Sequence, residues 1–160
     1  MKLNKKLIAV PAIALAAGIG LAACGSSGGS SSGGSSAPAA AAPAAASAVS
    51  QWDTWASGPG HADSVTVQND LTQMSTDAGN DDSSSVESDG STLATDAQTA
   101  IGSPPPIDGA DYIAAMNDDV TAGNDAANGD FTDATTALQN GETLINKVTA
   151  AATAAGVSGN

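Results

Sequence analysis

The sequence predicts an all-α protein: a small four-helix up-down-up-down bundle that follows a disordered linker. Three features carry that expectation. Residues 25–50 hold almost only Gly, Ser, Ala and Pro, too small and polar to build a core. Beyond them, apolar residues recur at the alternating steps of three and four that place side chains on one helix face. The breaks between these runs are made of Gly, Asn, Asp and Pro, the residues that helix ends require. The chain therefore divides into residues 1–23, a signal peptide, residues 24–50, a linker, and residues 51–160, one acidic helical domain.

Met1 to Lys6 form a positive segment, and residues 7–23 are an uncharged run of Leu, Ile, Val, Ala, Gly and one Pro. Its 17 residues lie at the lower limit for a transmembrane helix, and no basic stop-transfer cluster follows. The run closes on Leu21-Ala22-Ala23-Cys24-Gly25, an aliphatic residue and two small ones before a cysteine. This resembles the lipobox of bacterial lipoproteins. The resemblance implies that a signal peptidase recognises Leu21, Ala22 and Ala23 and cuts before Cys24. It also implies that the Cys24 thiol carries diacylglycerol, with an acyl chain such as palmitate as a possible addition at the new amino terminus. The physics agrees, because one acyl chain holds a protein only marginally, whereas two or three chains at about 0.8 kcal/mol per buried CH₂ hold it stably.

Gly25 to Ser36 is only Gly and Ser, and residues 37–50 are Ala, Ser and Pro with a single Val49. A flexible linker of this length reaches roughly 30 Å, so the domain floats near its membrane rather than lying on it. Pro38 and Pro43 argue against one continuous helix through the alanines, although 44–49 has local helical propensity.

The first helix is expected from about Ser64 to Ala78, capped by Asp63, with Val67, Leu71, Met74 and Ala78 inward and Gly79-Asn80 as its stop. The second spans about Ser83 to Ile101, with Val86, Leu93, Ala97, Ala100 and Ile101 inward. Its start, Ser84 to Glu87, has capping-box spacing, and Gly102-Ser103-Pro104-Pro105-Pro106 ends it. Asp108 is expected to cap the third, whose inward face holds Tyr112, Ile113, Met116, Val120 and Ala127 as far as Gly129. Asp130 is expected to cap the fourth. Its period is the clearest in the chain: Phe131, Ala134, Leu138, Gly141, Ile145, Val148 and Ala152. Gly79-Asn80-Asp81 and Asn128-Gly129-Asp130 read as two similar helix–helix turns, a weak internal repeat of two hairpins. Against order stands the shortage of large apolar residues, since Leu, Ile, Val and Phe number 15 of the 110 residues from Gln51 onward. The core must be thin and alanine-lined.

Charge narrows the functions. The chain carries 17 Asp and Glu, and three of its four lysines, Lys2, Lys5 and Lys6, lie in the leader. Only Lys147 is left to oppose the acids. Binding nucleic acid needs Lys and Arg to displace counterions from phosphate, so nucleic acid is excluded as a partner. The same charge repels anionic lipid headgroups, so a lipid bilayer is reached only through the Cys24 anchor.

Residues for chemistry are few. His61, the single histidine, sits in a Gly-Pro-Gly-His segment read as a turn, and a lipidated Cys24 has no thiol to offer. The acids could supply a carboxylate pair, but no two are set among apolar neighbours that would raise one pKa, and they read as helix caps and solvated faces. No enzyme, no cofactor and no metal is expected. The turns at Gly79-Asn80-Asp81-Asp82 and Asn124 to Asp130 hold oxygen ligands that suit calcium, but neither has the alternate-position spacing of an EF-hand. Trp52 and Trp55 either pack over one end of the bundle or present an aromatic contact to a partner.

The helix start Pro104-Pro105-Pro106-Ile107-Asp108-Gly109-Ala110-Asp111-Tyr112, with the lipobox, the linker and the acidic domain, resembles small helical lipoproteins of high-GC Gram-positive (actinobacterial) bacteria. That resemblance implies a place on the outer side of the cell membrane and transfers no catalytic or binding residues. The expected function is a non-enzymatic module that contacts another envelope protein; the alternative is an extracytoplasmic protein that binds a small ligand or calcium.

Overall fold

A computed structural model describes residues 41–157. The expectations for Leu21, Ala22, Ala23, Cys24 and the Gly/Ser run lie outside the described residues. Among the described residues every regular element is a helix: α1 (Ala41–Ala56), α2 (Pro59–Gly79), α3 (Ser83–Ala100), α4 (Gly109–Ala127) and α5 (Phe131–Ala154). None is long and apolar enough to cross a membrane.

The all-α expectation holds, but there are five helices where four were expected. The additional one, α1, begins at Ala41, inside the stretch assigned to the linker. Pro43 does not interrupt it, since the helix runs on from there to Ala56. Val49, Trp52, Trp55 and Ala56 give α1 an apolar face, and that face packs against the core.

Each helix lies against its neighbours in chain order, and the closest approaches are those of α4 with α3 and α5. The helices α2 and α5 meet through side chains: Met74 and Leu138 line one gap of ≈ 10 Å³, enough for about one water.

The helix ends are built from backbone. In both hairpin turns the residue after the C-cap asparagine adopts positive φ, Asp81 at 60° and Gly129 at 81°. The next amide then reaches back five residues, Asp82 N to Asp77 O at 3.0 Å and Asp130 N to Asp125 O at 2.8 Å. The two turns anticipated as a repeat thus share one Schellman geometry. A third copy ends α5, where Gly156 has φ 91° and Val157 N donates to Ala152 O at 3.0 Å.

The starts differ from expectation. Helix α2 opens at Gly58-Pro59, five residues before Ser64, because proline suits a first helical position. Asp82, rather than Ser84, caps α3: its carboxylate accepts from Ser85 N at 3.1 Å and from the hydroxyls of Ser84 and Ser85 at 2.9 Å. These donors, chiefly the Ser85 amide, hold the Asp82 carboxyl below its ordinary value. Asp108 and Asp130 occupy the cap positions of α4 and α5 without side-chain cap bonds, Asp108 because its backbone is left-handed.

Among the described residues, eight of the twenty buried apolar ones are alanine, so helices must come close to exclude water. Glycine makes the closest approach possible. A Cβ on Gly90 would stand 2.6 Å from Gly123 O, and one on Gly123 would stand 2.7 Å from Ala94 N and 3.0 Å from Ala94 Cβ. The backbones of α3 and α4 therefore touch.

This contact turns α4. Ala115, Asp119, Ala122, Gly123 and Ala126 face inward with Tyr112 and Met116, while Ile113, Val120 and Ala127, expected inside, are only half-buried. Helix α4 is gripped on both sides, and its small residues suit that position better than one apolar stripe would. Helix α5 buries Ala134, Leu138, Gly141, Ile145, Val148 and Ala152 as expected.

Replacing Gly123 by Ala forces α3 and α4 apart and is expected to cost about 2 kcal/mol in chemical denaturation. Gly79→Ala, where an added Cβ meets nothing within 4 Å, is expected to stabilise by about 0.5 kcal/mol. Asp81→Gly relieves a left-handed aspartate and should also stabilise, by up to about 1 kcal/mol.

Candidate functional site

Two places gather polar or aromatic side chains inside the protein. The first is the end where α1 meets α2 and the α3–α4 loop. Trp52 and Trp55 pair with ring centroids 5.1 Å apart, tilted by 53°. Trp55 then meets His61 edge-on at 5.5 Å and Tyr112 at 6.3 Å. Its indole Nε1–H donates to the Ser103 carbonyl at 2.9 Å, tying α1 to the loop after α3. Gly60 leaves room for this bond, since a Cβ there would stand 2.6 Å from the Trp55 nitrogen and clash with Ser103 O. One turn on, the Ser64 hydroxyl donates to Gly60 O at 2.9 Å and accepts from the Tyr112 hydroxyl at 2.6 Å. Burial pushes the Tyr112 phenol up despite the Ser64 bond, so it stays a protonated donor.

The tryptophans are thus packing residues. Trp52 is 6% exposed and Trp55 is half-buried with its polar edge engaged, so of the two placements that the sequence allows the pair takes the one packed over this end of the domain. Apolar area drives this: two indoles are the largest rings available to a core otherwise rich in alanine. His61 lies in the first turn of α2 rather than in a loop, because Pro59 starts the helix earlier than the spacing of apolar residues suggested.

The second place is Asp119, which is 1% exposed between α4 and α5. Its Oδ1 finds no hydrogen-bond partner and points to where a side chain on Gly141 would be, at 3.2 Å. The sequence pattern missed it, placing Val120 inward in its stead. The residues that could have revealed it are Ala115, Ala122 and Ala126, a small-residue stripe sharing its face. Burial, and secondarily Asp118 beside it, push the Asp119 carboxyl up to about 7. A buried carboxyl at that value can exist as a neutral acid, and Asp118 is itself raised by burial.

What these groups do chemically is limited. The Ser64 hydroxyl is committed to Gly60 O and Tyr112, and His61 faces an indole. Neither forms a nucleophile–base pair with the other. Among the described residues, no three of His, Cys, Asp and Glu converge as a metal site. The turn carboxylate Asp82, considered as a calcium ligand, is engaged as a helix cap.

No family model, curated protein or solved structure matches this chain.

Asp119 yields a pH dependence. Its folded value is raised above the ordinary 3.8 to about 7, so folding takes up a proton between these limits. Stability linked to Asp119 is complete below pH about 4 and is lost as pH rises through about 7. Asp119→Asn is expected to remove that loss and to raise stability at pH 8 by on the order of 2 kcal/mol, measured by urea denaturation at pH 5 and pH 8. An unchanged slope in the variant would count against a protonated Asp119.

Proposed function

We propose that this chain is a lipid-anchored protein of the bacterial cell envelope, held on the extracytoplasmic side through Cys24. Its helical domain is a non-enzymatic interaction module. The observation that carries the reading is Leu21-Ala22-Ala23-Cys24 at the end of an apolar leader, followed at once by a Gly/Ser run. The pattern supplies a cleavage point, a lipid acceptor and slack chain in sequence.

We read α2 to α5 as an up-down-up-down arrangement left loosely filled along the α2–α5 side, with α1 as a strap across one end. The interior of this domain supports a partner role over chemistry, since Ser64 and Tyr112 bond to each other, Trp55 bonds to Ser103, and Asp119 is closed off from solvent. With the tryptophans inward, the surface is acidic: of the 17 carboxylates only Asp119 is fully buried, and Lys147, the one lysine of the domain, lies 3.9 Å from Asp111. A partner that complements this face carries Lys and Arg, and its association is electrostatically steered and salt-sensitive.

Cys24→Ala is expected to move the protein from the membrane fraction to the soluble one, with loss of the lipid mass from the mature N-terminus. A mature product that starts elsewhere, or a bare thiol at Cys24, overturns the anchor. A partner cross-linked at low ionic strength should be lost at about 0.5 M salt; retention at that salt counts against the acidic face.

A further inference from the structure

The acids of α2 and α3 are in register. Asp70 and Asp77 stand two turns apart on α2, and Asp89 and Asp96 stand two turns apart on α3. The antiparallel hairpin sets Asp70 opposite Asp96 and Asp77 opposite Asp89, each pair within hydrogen-bonding reach. All four are half-buried at the seam. One oxygen of Asp70 and one of Asp89 are closed off from water with no donor to meet them.

Ionised carboxylates only accept hydrogen bonds, so two that face each other repel and leave buried lone pairs unmet. One proton between them converts an acceptor into a donor and yields a short, charge-assisted bond.

No base competes for these acids. Of the two bases among the described residues, Lys147 lies by Asp111 across α4 and α5, and His61 lies against Trp55 at the start of α2. The groups acting on Asp70 are Asp96 and Asp89, and those acting on Asp89 are Asp77 and Asp82. The other helices packed on the pair add nothing of opposite sign. Helix α1 brings the exposed Asp53, and α4 brings Asp111, Asp118, Asp119 and Asp125, none of which acts on Asp70 or Asp89.

We propose that the α2–α3 seam is a proton-operated clasp. Each acid pair holds one proton when the seam is closed, so α2 grips α3 in acidic surroundings and slackens at neutral and alkaline pH. Burial, then Asp96, holds the Asp70 carboxyl up at about 6, and burial with Asp77 raises that of Asp89. Both directions mean that the grip is full below the ordinary carboxyl range and is lost as pH climbs through about 6. Slack at this seam loosens α2 from α3, while the bonds of Trp55 to Ser103 and of Ser64 to Tyr112 still hold α1 to the α3–α4 loop and the start of α2 to α4. The clasp does not depend on the lipid anchor.

The test is amide hydrogen exchange of α2 at pH 5.0 and 7.5, corrected for intrinsic rates. It compares the Asp119→Asn protein with one that also carries Asp70→Asn and Asp89→Asn. The Asp119 change removes the core carboxyl's own pH dependence, and each added Asn supplies a permanent N–H donor to the carboxylate opposite. Protection of α2 is expected to fall about tenfold between the two pH values in the first protein and less than about twofold in the second, allowing for solvent screening. An equal fall in both overturns the clasp. If the triple variant does not fold, carboxyl-carbon NMR titration of the unaltered protein decides. Midpoints for Asp70 and Asp89 above the ordinary range support the clasp, and midpoints within it overturn it.

Discussion

The domain hangs on the touching backbones of α3 and α4 at Gly90 and Gly123. A chain with so few large apolar side chains cannot exclude water by filling space, so it must do so by bringing helices together until little space is left. That choice fixes α4 between two neighbours and dictates small residues on both its flanks. It also carries Asp119 inward, on the same face as Ala115, Ala122 and Ala126. Leu138, Ile145 and Val148 of α5 supply the larger side chains on the far side of α4. Burial of each is worth about 1.5–3 kcal/mol, against far less for an alanine.

Acidity and thinness are connected in this fold. With acids on every helix and one lysine, Lys147, in the domain, close helix packing inevitably sets carboxyls against carboxyls, as at Asp70 with Asp96 and Asp77 with Asp89. The hydroxyl side chains avoid that conflict by bonding locally. Thr72, Thr95, Thr121 and Thr143 each donate to the carbonyl one turn back on their own helix, which satisfies the hydroxyl without a partner from elsewhere. Polar residues can then be numerous on the outer faces while the contacts between helices depend on alanine, glycine and protons.

Much of the architecture was legible in the spacing of residues. The inward faces of α2, α3 and α5 follow from steps of three and four, and the two hairpin turns follow from Gly79-Asn80-Asp81 and Asn128-Gly129-Asp130. Three things were not. Helix α1 was hidden because Ala and Pro resemble linker, and its Val49, Trp52 and Trp55 declare themselves only when a surface is present to receive them. The face of α4 was misjudged because hydropathy ranks Val120 above Asp119, whereas packing against two neighbours favours the stripe containing Ala115, Ala122 and Ala126. The acid pairs were invisible because Asp70 and Asp96 lie far apart in the chain and read individually as solvated. The Trp pair was seen, and both of its possible placements were weighed; contacts with Ser103, His61 and Tyr112 place it inside.

Both tryptophans of the chain sit on α1, which gives the molecule a built-in optical reporter of limited scope. Indole emission responds to the water and quenching groups around it, and here those surroundings are the start of α2, the Ser103 carbonyl and the Tyr112 ring. A red-shifted spectrum would therefore signal release of the first helix from these neighbours, while α5, which holds no indole, could unravel or stay intact largely unseen.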